Sequence, residues 1–148
     1  MVDIRIMEDT DGPIVVQLPK IVDVRGNLSY IEKGVGFPFE VRRVFWTFNV
    51  PGGASRGGHA YRTQNELIVS VSGAFNVATV NQLGQRKNFR LDRGDFGLFL
   101  PPLVWRWMDG FSTNAVGLHV SDSDFVESDY IREMGQFLDK SWARDCEE

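Results

Sequence analysis

The sequence predicts a single all-β domain, a barrel or a sandwich, that ends in one short α-helix. Between residues 14 and 120, short runs of apolar and β-branched residues alternate with glycine, asparagine and proline turns at a spacing of roughly 8–12 residues. This spacing is typical of antiparallel barrels and sandwiches. Near the C-terminus the pattern changes, because Ile131, Met134, Phe137 and Leu138 recur at helical spacing. The length of 148 residues allows one domain with a sizeable core, which we assign to residues 1–148.

Turn-forming residues divide the middle of the chain into ten predicted strands. These span residues 14–18, 20–24, 27–32, 41–49, 66–72, 74–80, 87–91, 96–100, 105–108 and 115–120. Strand 41–49 alternates poorly but is rich in aromatic and β-branched residues, so we expect it to be buried on both faces. Residues 1–13 are polar and mixed, which predicts an arm that frays or pairs with a partner subunit. A helix is predicted within residues 126–140, with Ser128 as its N-cap.

Composition excludes several classes of partner. A net charge of −4 and a pI near 5.2 argue against nucleic acid and anionic membrane as main partners. No run approaches 18 apolar residues and no secretion signal opens the chain, so we expect a cytoplasmic protein without a membrane segment. The one cysteine, Cys146, cannot form an intrachain disulfide.

The most informative motif runs from Gly53 to Gly73 with the spacing G-x5-H-x-Y-x4-E-x6-G. It resembles the first signature of the cupin superfamily, with Tyr61 in place of the second histidine. A looser second signature fits residues 94–106 after one inserted residue, and there Arg106 stands where the cupin pattern has a histidine. The resemblance implies a jelly-roll-like cupin β-barrel.

Metal-binding cupins take their ligands from the motif positions that here are His59, Tyr61, Glu66 and Arg106. A guanidinium has no free lone pair and stays protonated, so the Arg106 position cannot ligate a metal. We therefore expect no metal and no cofactor, and disfavour a metal-dependent dioxygenase.

Several further strings resemble one cupin family, the sugar 3,4-ketoisomerases that act on dTDP-4-keto-6-deoxyglucose. The matching strings lie at residues 23–28, 41–45, 56–60, 98–105, 121–122 and 129–132. The resemblance implies an isomerase of deoxysugar biosynthesis, such as that of the lipopolysaccharide O-antigen, which moves a keto group between C4 and C3. It also implies a homodimer, in which N-terminal strands could be exchanged. The family pattern usually has histidines where Tyr61 and Arg106 stand.

His59 and Tyr61 are the candidate catalytic residues. Ketone migration removes the C3 proton, forms an enediol and protonates C4, and a neutral imidazole suits both proton transfers. In a regular strand Tyr61 faces the same way as His59, where its phenol is a proton donor rather than a base. The alternatives are a buried core histidine and a tyrosine that only packs inside the barrel.

The candidate substrate-binding residues are mostly arginines. Arg43 and Arg56 are assigned to the diphosphate, because forked guanidinium groups bind phosphate oxygens in pairs. Arg25 and Arg106 are candidates for the sugar and for the enediolate oxygen, with surface ion pairs as the alternative. Gln64 is a further candidate. Glu66 is open to three partners, namely His59, Gln64 or an arginine, and His119 is expected to be structural or to support the site.

Two rivals remain at this level. One is a cupin that binds a nucleotide sugar without converting it, which Tyr61 favours, and the other is a related nucleotide-sugar epimerase. The sequence does not separate dTDP from UDP, nor does it give the configuration of the product at C4.

Overall fold

The computed structural model describes residues 4–146, and within them the backbone forms fourteen strands, two α-helices and two 3-10 segments. The helices are α1 (Ile4–Asp9) and α2 (Met134–Asp139), and the 3-10 segments are Glu127–Asp129 and Ser141–Cys146. The strands are β1 (Ile14–Gln17), β2 (Lys20–Ile21), β3 (Leu28–Ser29), β4 (Glu32–Lys33), β5 (Gly36–Phe37), β6 (Arg43–Phe48), β7 (Arg56–Tyr61), β8 (Glu66–Ser72), β9 (Phe75–Val80), β10 (Arg86–Leu91), β11 (Phe96–Leu100), β12 (Trp105–Asp109), β13 (Val116–Ser121) and β14 (Tyr130–Ile131).

Two five-stranded antiparallel sheets form the barrel. The first has the strand order β1-β11-β8-β13-β6 and the second has the order β10-β9-β12-β7-β14. The short strands pair separately, as β2 with β3 and β4 with β5. The predicted all-β jelly-roll barrel with a short C-terminal helix is confirmed.

The inward-facing side chains divide the barrel interior into an apolar half and a polar half. The apolar half contains buried residues from both sheets, namely Ile68, Phe75, Val77, Leu91, Leu98, Leu100, Val104, Met108 and Ala115. Inward-facing Glu66, Arg106 and His119 lie in the polar half and are also buried. Ile68 and Met108 belong to the apolar core and also line the cleft above it, so they form its floor. Polar chemistry is thereby confined to one end of the barrel.

The chain termini cover part of the outer face of each sheet. Met7 of α1 packs with Leu18, Phe37 and Phe99 against the first sheet. Phe137 of α2 packs with Trp105, Ala60, Val80 and Ile131 against the second sheet. Residues 1–13 were expected to form an arm; residues 4–9 instead form a helix anchored by buried Met7, and residues 1–3 lie outside the described part.

The C-terminal helix is much shorter than predicted. Ser128 lies within a 3-10 segment and does not cap the helix, whose N-cap is Glu133. Tyr130 and Ile131 form β14 instead, and pair with Tyr61 and Ala60 of β7. Pairing with a distant strand overrides the helical spacing that the sequence shows at this point.

The prediction that strand 41–49 is buried on both faces was wrong. In β6 the inward side chains are half-buried or buried, but Val44, Trp46 and Phe48 are 47%, 59% and 55% exposed on the other face. β6 is an edge strand of the first sheet. Its outer face, formed by these three apolar side chains, remains uncovered in the single chain.

The last glycine of the motif makes a prediction about stability. Gly73 has φ +63°, and a Cβ there would lie 2.8 Å from the Cα of Ala115 and would overlap the hydroxyl of Ser112. We expect Gly73→Ala to lower the free energy of unfolding by about 3 kcal/mol, through left-handed strain and backbone overlap together.

Gly84 is the matched control, because it has φ +79° but a Cβ added there would meet no atom within 4 Å. Gly84→Ala should cost only about 1 kcal/mol of unfolding free energy in urea titrations, from backbone strain alone. Equal losses of unfolding free energy in the two variants would show that the overlap at Gly73 does not contribute to the destabilisation.

Candidate active site

A cleft of about 350 Å³ opens at the polar end of the barrel. It is lined by residues of both sheets, among them Arg56, His59, Tyr61, Glu66 and Arg106. A larger cleft of about 490 Å³ lies beside the turn between β9 and β10, and holds none of the residues that the sequence predicts for the site. Four of the seven predicted site residues, His59, Tyr61, Arg56 and Arg106, therefore line the smaller cleft.

A buried ion pair crosses the barrel beneath this cleft. Glu66 of β8 accepts a hydrogen bond from Nη1 of Arg106 on β12, and Arg106 and Glu66 are 1% and 2% exposed. The other carboxylate oxygen lies 2.6 Å from Nδ1 of His119 on β13. Burial raises the pKa of Glu66, but the Arg106 charge and the His119 hydrogen bond outweigh it and lower the pKa to about 2. Glu66 is thus a carboxylate with both oxygens engaged.

His119 is held from three sides. Its Nδ1–H donates to Glu66, its Nε2 lies 3.3 Å from the hydroxyl of Thr47, and the Phe45 ring stacks on it at 4.4 Å. Each of its polar atoms therefore has a protein partner. The expectation that His119 supports the site rather than reacts in it agrees with this geometry.

The residues at the cupin ligand positions do not present a metal-ligand set. Arg106 lies opposite His59 in the register of β12 and β7, and occupies one oxygen of Glu66. Among the described residues there is no group of three or more His, Cys, Asp and Glu side chains placed to hold a metal ion. The guanidinium of Arg106 therefore balances the charge of the buried carboxylate.

His59 presents an unengaged nitrogen in the cleft. Its Nε2 is buried and has no hydrogen-bond partner among the described residues, while its ring packs against Tyr61 at 4.7 Å and Tyr130 at 5.0 Å. Burial disfavours the charged ring, and repulsion by Arg106 adds to that effect, so the pKa of His59 falls to about 3. His59 is therefore a neutral imidazole at physiological pH.

Tyr61 faces the same cleft as His59, as the strand periodicity predicts, and is fully buried. Its hydroxyl donates to the hydroxyl of Tyr130 at 3.3 Å, and the guanidinium of Arg106 lies 4.8 Å from its ring centroid. Burial and the nearby Glu66 carboxylate raise the pKa of Tyr61 far above its ordinary value. Tyr61 is therefore a hydrogen-bond donor and not a base.

Arg43 and Gln64 form a network behind the cleft. Nη2 of Arg43 donates to Oε1 of Gln64 at 3.1 Å and to the Tyr130 hydroxyl at 3.4 Å. Gln64 is fixed in turn by Ser121, which donates to Oε1 at 2.7 Å, and by Asp129, which accepts from Nε2 at 3.0 Å. Gln64 thus orients Arg43 and does not itself line the cleft.

The other predicted arginines differ in position. Arg56 is exposed and lines the cleft, which suits a diphosphate contact. Arg25 lies between β2 and β3, has an 87% exposed side chain paired with Asp23, and does not line this cleft. The structure of one chain therefore leaves the substrate role of Arg25 as a prediction.

Three residues of the cleft were missed from the sequence: Tyr130, Arg132 and Thr47. Arg132 lies 4.3 Å over the Tyr130 ring and pairs with Glu127. The family-like string at residues 129–132 was a usable signal for both Tyr130 and Arg132. It did not lead to the site because these residues were predicted to belong to the C-terminal helix. Thr47 had no local signal, because its role depends on the pairing of β6 with β13.

The double-sheet barrel and its motif residues at one open end define a cupin-type protein. The family model described as "FdtA: WxcM-like, C-terminal" matches residues 11–142, and the chain belongs to this family. It is 32% identical over 123 residues to the TDP-4-oxo-6-deoxy-alpha-D-glucose-3,4-oxoisomerase of Aneurinibacillus thermoaerophilus, covering 83% of this chain and 88% of that relative.

Solved structures of similar fold agree with this assignment. The sugar 3,4-ketoisomerase QdtA from Thermoanaerobacterium thermosaccharolyticum, in complex with TDP, matches with a TM-score of 0.84 and 26% identity over 90% of this chain and 97% of that one. The TDP-quinovose 3,4-ketoisomerase WlaRB from Campylobacter jejuni matches with a TM-score of 0.81 and 28% identity over 88% and 99%. None of the helices in the described part of the chain is long and apolar enough to cross a membrane.

The lowered pKa of His59 predicts how stability depends on pH. The unfolded chain binds a proton at this imidazole near pH 6.5, whereas the folded protein does so only near pH 3. Because the unfolded state holds more protons between these values, stability is full above pH 6.5 and falls as the pH drops. The loss is at most about 1.4 kcal/mol per pH unit.

Urea unfolding at pH 7 and at about pH 5 measures this dependence, above the range where most carboxylates titrate. His59→Asn should show a smaller loss of unfolding free energy than the wild-type protein between these two conditions. The same pH dependence in both proteins would mean that the folded protein does not keep His59 neutral.

Proposed function

We propose that this protein is a 3,4-ketoisomerase that moves the keto group between C4 and C3 of a TDP-linked 4-keto-6-deoxyhexose. The observation that carries the proposal is the neutral imidazole of His59, whose Nε2 has no hydrogen-bond partner among the described residues and which lines a cleft of sugar size. The named activities of the 32% identical relative and of QdtA support the substrate class.

We assign the transfer of the carbon-bound proton from C3 to C4 to His59. The C3 proton is acidic because of the neighbouring carbonyl, and the imidazole removes it to give an enediol. The same imidazolium returns the proton to C4, since C3 and C4 are adjacent on one face of the ring. One base can thus serve both halves of the reaction.

We assign to Arg106 the stabilisation of the negative charge that develops on the substrate oxygen. Its Nη1 is bound to Glu66, but its Nη2 is buried without a hydrogen-bond partner among the described residues, and the side chain lines the cleft. An unpartnered buried donor is costly unless a ligand accepts its hydrogen bond. A substrate oxygen on C3 or C4 would do so and would be stabilised as it becomes an oxyanion.

We propose that the reaction uses no metal ion. Both oxygens of Glu66 are engaged by protein donors, and a metal at the motif would have to displace Arg106 or His119. The positive charge that a metal would supply at the enediolate is available from Arg106.

The first test follows the carbon-bound proton. In deuterium oxide, the wild-type protein should convert TDP-4-keto-6-deoxyglucose and introduce deuterium into the sugar ring, as followed by proton NMR. His59→Asn should lose about 100- to 10,000-fold in turnover, because the general base is gone, with TDP affinity retained.

The rival is a cupin that binds the nucleotide sugar without converting it. Tyr61, where the family pattern usually has a histidine, is the feature that favours it. An inactive wild-type protein together with an active Tyr61→His variant would support the rival and contradict the ketoisomerase proposal.

The nucleotide diphosphate is assigned to Arg56 first and to Arg43 second. Arg56 is exposed at the cleft, whereas Arg43 lies between the rings of Phe45 and Phe125 and faces Tyr130. Arg56→Ala should weaken TDP binding by roughly ten- to a hundred-fold, because charge-assisted hydrogen bonds contribute about 1.5–3 kcal/mol each.

Calorimetric titration with TDP measures this effect, and added salt should weaken wild-type binding more than Arg56→Ala binding. Arg90→Ala is the matched control, since Arg90 lies on β10 and bonds Asn76 and Gly110 away from the cleft. Wild-type affinity in Arg56→Ala would remove this residue from the phosphate site.

We further propose a homodimer that covers the apolar outer face of β6. The exchange of the strand at residues 14–18 stays a prediction, and we do not base the dimer on it, since within the single chain β1 pairs with β11. The uncovered surface is instead Val44, Trp46 and Phe48 of β6 together with the loop between β2 and β3, where Val22 and Val24 are exposed. An edge strand with an apolar face is a surface that proteins normally cover.

The dimer gives Arg25 a site. Arg25 lies beside exposed Val24 on the same loop and does not line its own cleft. We propose that this loop packs on the second subunit and that Arg25 serves the cleft of that subunit. The sugar role predicted for Arg25 is then exerted between chains.

A mixing experiment tests the dimer and this placement together. Light scattering should give about twice the chain mass of 16.8 kDa. Arg25→Ala and His59→Asn should each be nearly inactive alone, but coexpression should restore about a quarter of wild-type activity, because half of the dimers then hold one intact site.

Phe48→Glu should give monomers, whereas Leu83→Glu, at an exposed turn away from β6, should remain dimeric. A fully active wild-type monomer, or no recovery in the coexpressed pair, would contradict the assignment of Arg25 to the second subunit.

A further inference from the structure

Ketone migration moves two protons, and the site described so far accounts for one. The carbon-bound proton travels from C3 to C4 by way of His59. The substrate also carries a hydroxyl at C3 and a carbonyl at C4, whereas the product carries the reverse. A second proton must therefore leave O3 and reach O4, and this step rests on the proposed ketoisomerase function.

We propose that Tyr130 is the catalytic residue that transfers this hydroxyl proton. Tyr130 lines the same cleft as His59, and the two ring centroids are 5.0 Å apart. It is half-buried and lines the cleft, so part of its side chain faces the space where a substrate would rest on His59. β14 fixes it there, because Tyr130 is paired directly with Tyr61 in the register of β14 and β7.

The hydrogen bonds around the Tyr130 oxygen suit this role. The oxygen accepts from the hydroxyl of Tyr61 at 3.3 Å and from Nη2 of Arg43 at 3.4 Å. With both contacts made by donors, the proton of Tyr130 remains available to a substrate oxygen. The positive charge of Arg43 and the Tyr61 donor stabilise the negative charge that appears on the oxygen when this proton leaves.

Tyr61 does not fit the same role. It is fully buried, Arg106 lies over its ring, and burial raises its pKa far above the ordinary value. Its hydroxyl proton is already donated in the hydrogen bond to Tyr130. Tyr61 therefore supports Tyr130, and the outer of the two tyrosines meets the substrate.

The step balances without a cofactor. In the first half, His59 takes the proton from C3, the C3–H electrons form the C3=C4 bond, and O4 takes the proton of Tyr130. In the second half, the tyrosinate takes the proton of O3, the C3=O bond forms, and C4 takes the proton from the imidazolium. Both side chains return to their starting states, and no electrons are exchanged with another molecule.

The chain contains three tyrosines, which allow a matched series of Tyr→Phe variants. Tyr130→Phe should lower kcat by on the order of 100-fold or more, as for loss of a general acid, with the KM and the TDP affinity nearly unchanged. Tyr61→Phe should lower kcat by less than about ten-fold, because it removes one neutral hydrogen bond. Tyr30→Phe, away from the cleft, should match the wild-type protein.

Deuterium exchange separates a catalytic role from a structural one. Without the hydroxyl relay, an enediolate formed by His59 should return to substrate more often than it proceeds. In deuterium oxide, Tyr130→Phe should therefore lose isomerisation to a greater extent than it loses exchange at C3, at an unchanged melting temperature. The ratio of C3 exchange to product formation should rise above that of the wild-type protein.

A Tyr130→Phe variant with kcat within about three-fold of an active wild-type protein would overturn the assignment of Tyr130 and leave the ketoisomerase proposal in place. Equal losses of exchange and isomerisation would also overturn it, since they indicate a disturbed cleft. A wild-type protein that converts no substrate would instead overturn the proposed function, and this inference with it.

Discussion

The arrangement of the site depends on the buried ion pair between Glu66 and Arg106. It joins β8 of one sheet to β12 of the other, and His119 of β13 completes it. Two charges removed from water are tolerated only when each is matched by close partners, so the pair restricts how the two sheets can face each other. It also divides the barrel interior, because the apolar core begins at Ile68 and Met108 below it. In this chain the charge of the buried Glu66 carboxylate is balanced by a protein cation, Arg106.

The same pair determines the chemistry above it. The fixed charge of Arg106, added to burial, keeps His59 in its neutral form, which is the form that can accept a proton. Glu66 cannot accept the substrate proton, because its carboxylate is already engaged on both oxygens and its pKa is held at about 2. Arg106 also has a second nitrogen without a partner among the described residues, beside the cleft that its side chain lines. The proposed base, His59, and the proposed oxyanion partner, Arg106, thus lie on neighbouring strands, and the hydroxyls of Tyr61 and Tyr130 lie in the same site.

Local patterns were sufficient to predict a barrel or a sandwich and the shared face of His59 and Tyr61, and the resemblance of the motif to cupins selected the barrel. They were not sufficient to predict contacts that depend on the register between strands distant in sequence. The partner of Glu66 could have been His59, Gln64 or an arginine, and only the approach of β12 and β13 to β8 selects Arg106 and His119. Tyr130 was hidden because residues 131–138 carry helical spacing, while pairing with β7 draws residues 130–131 into the sheet. The exposed face of β6 could not be foreseen either, since an edge position is a property of the whole sheet.

The buried Glu66–Arg106 pair lies beside a histidine that is kept neutral and whose Nε2 has no partner among the described residues. The most direct measurement is an NMR titration of the imidazole signals, which is simple because the chain contains two histidines, with the His59 signal identified from its loss in His59→Asn. The account predicts that His59 shows no protonation shift between pH 8 and about pH 4, since its pKa lies near 3. A His59 signal that titrates near pH 6.5 or above would contradict it.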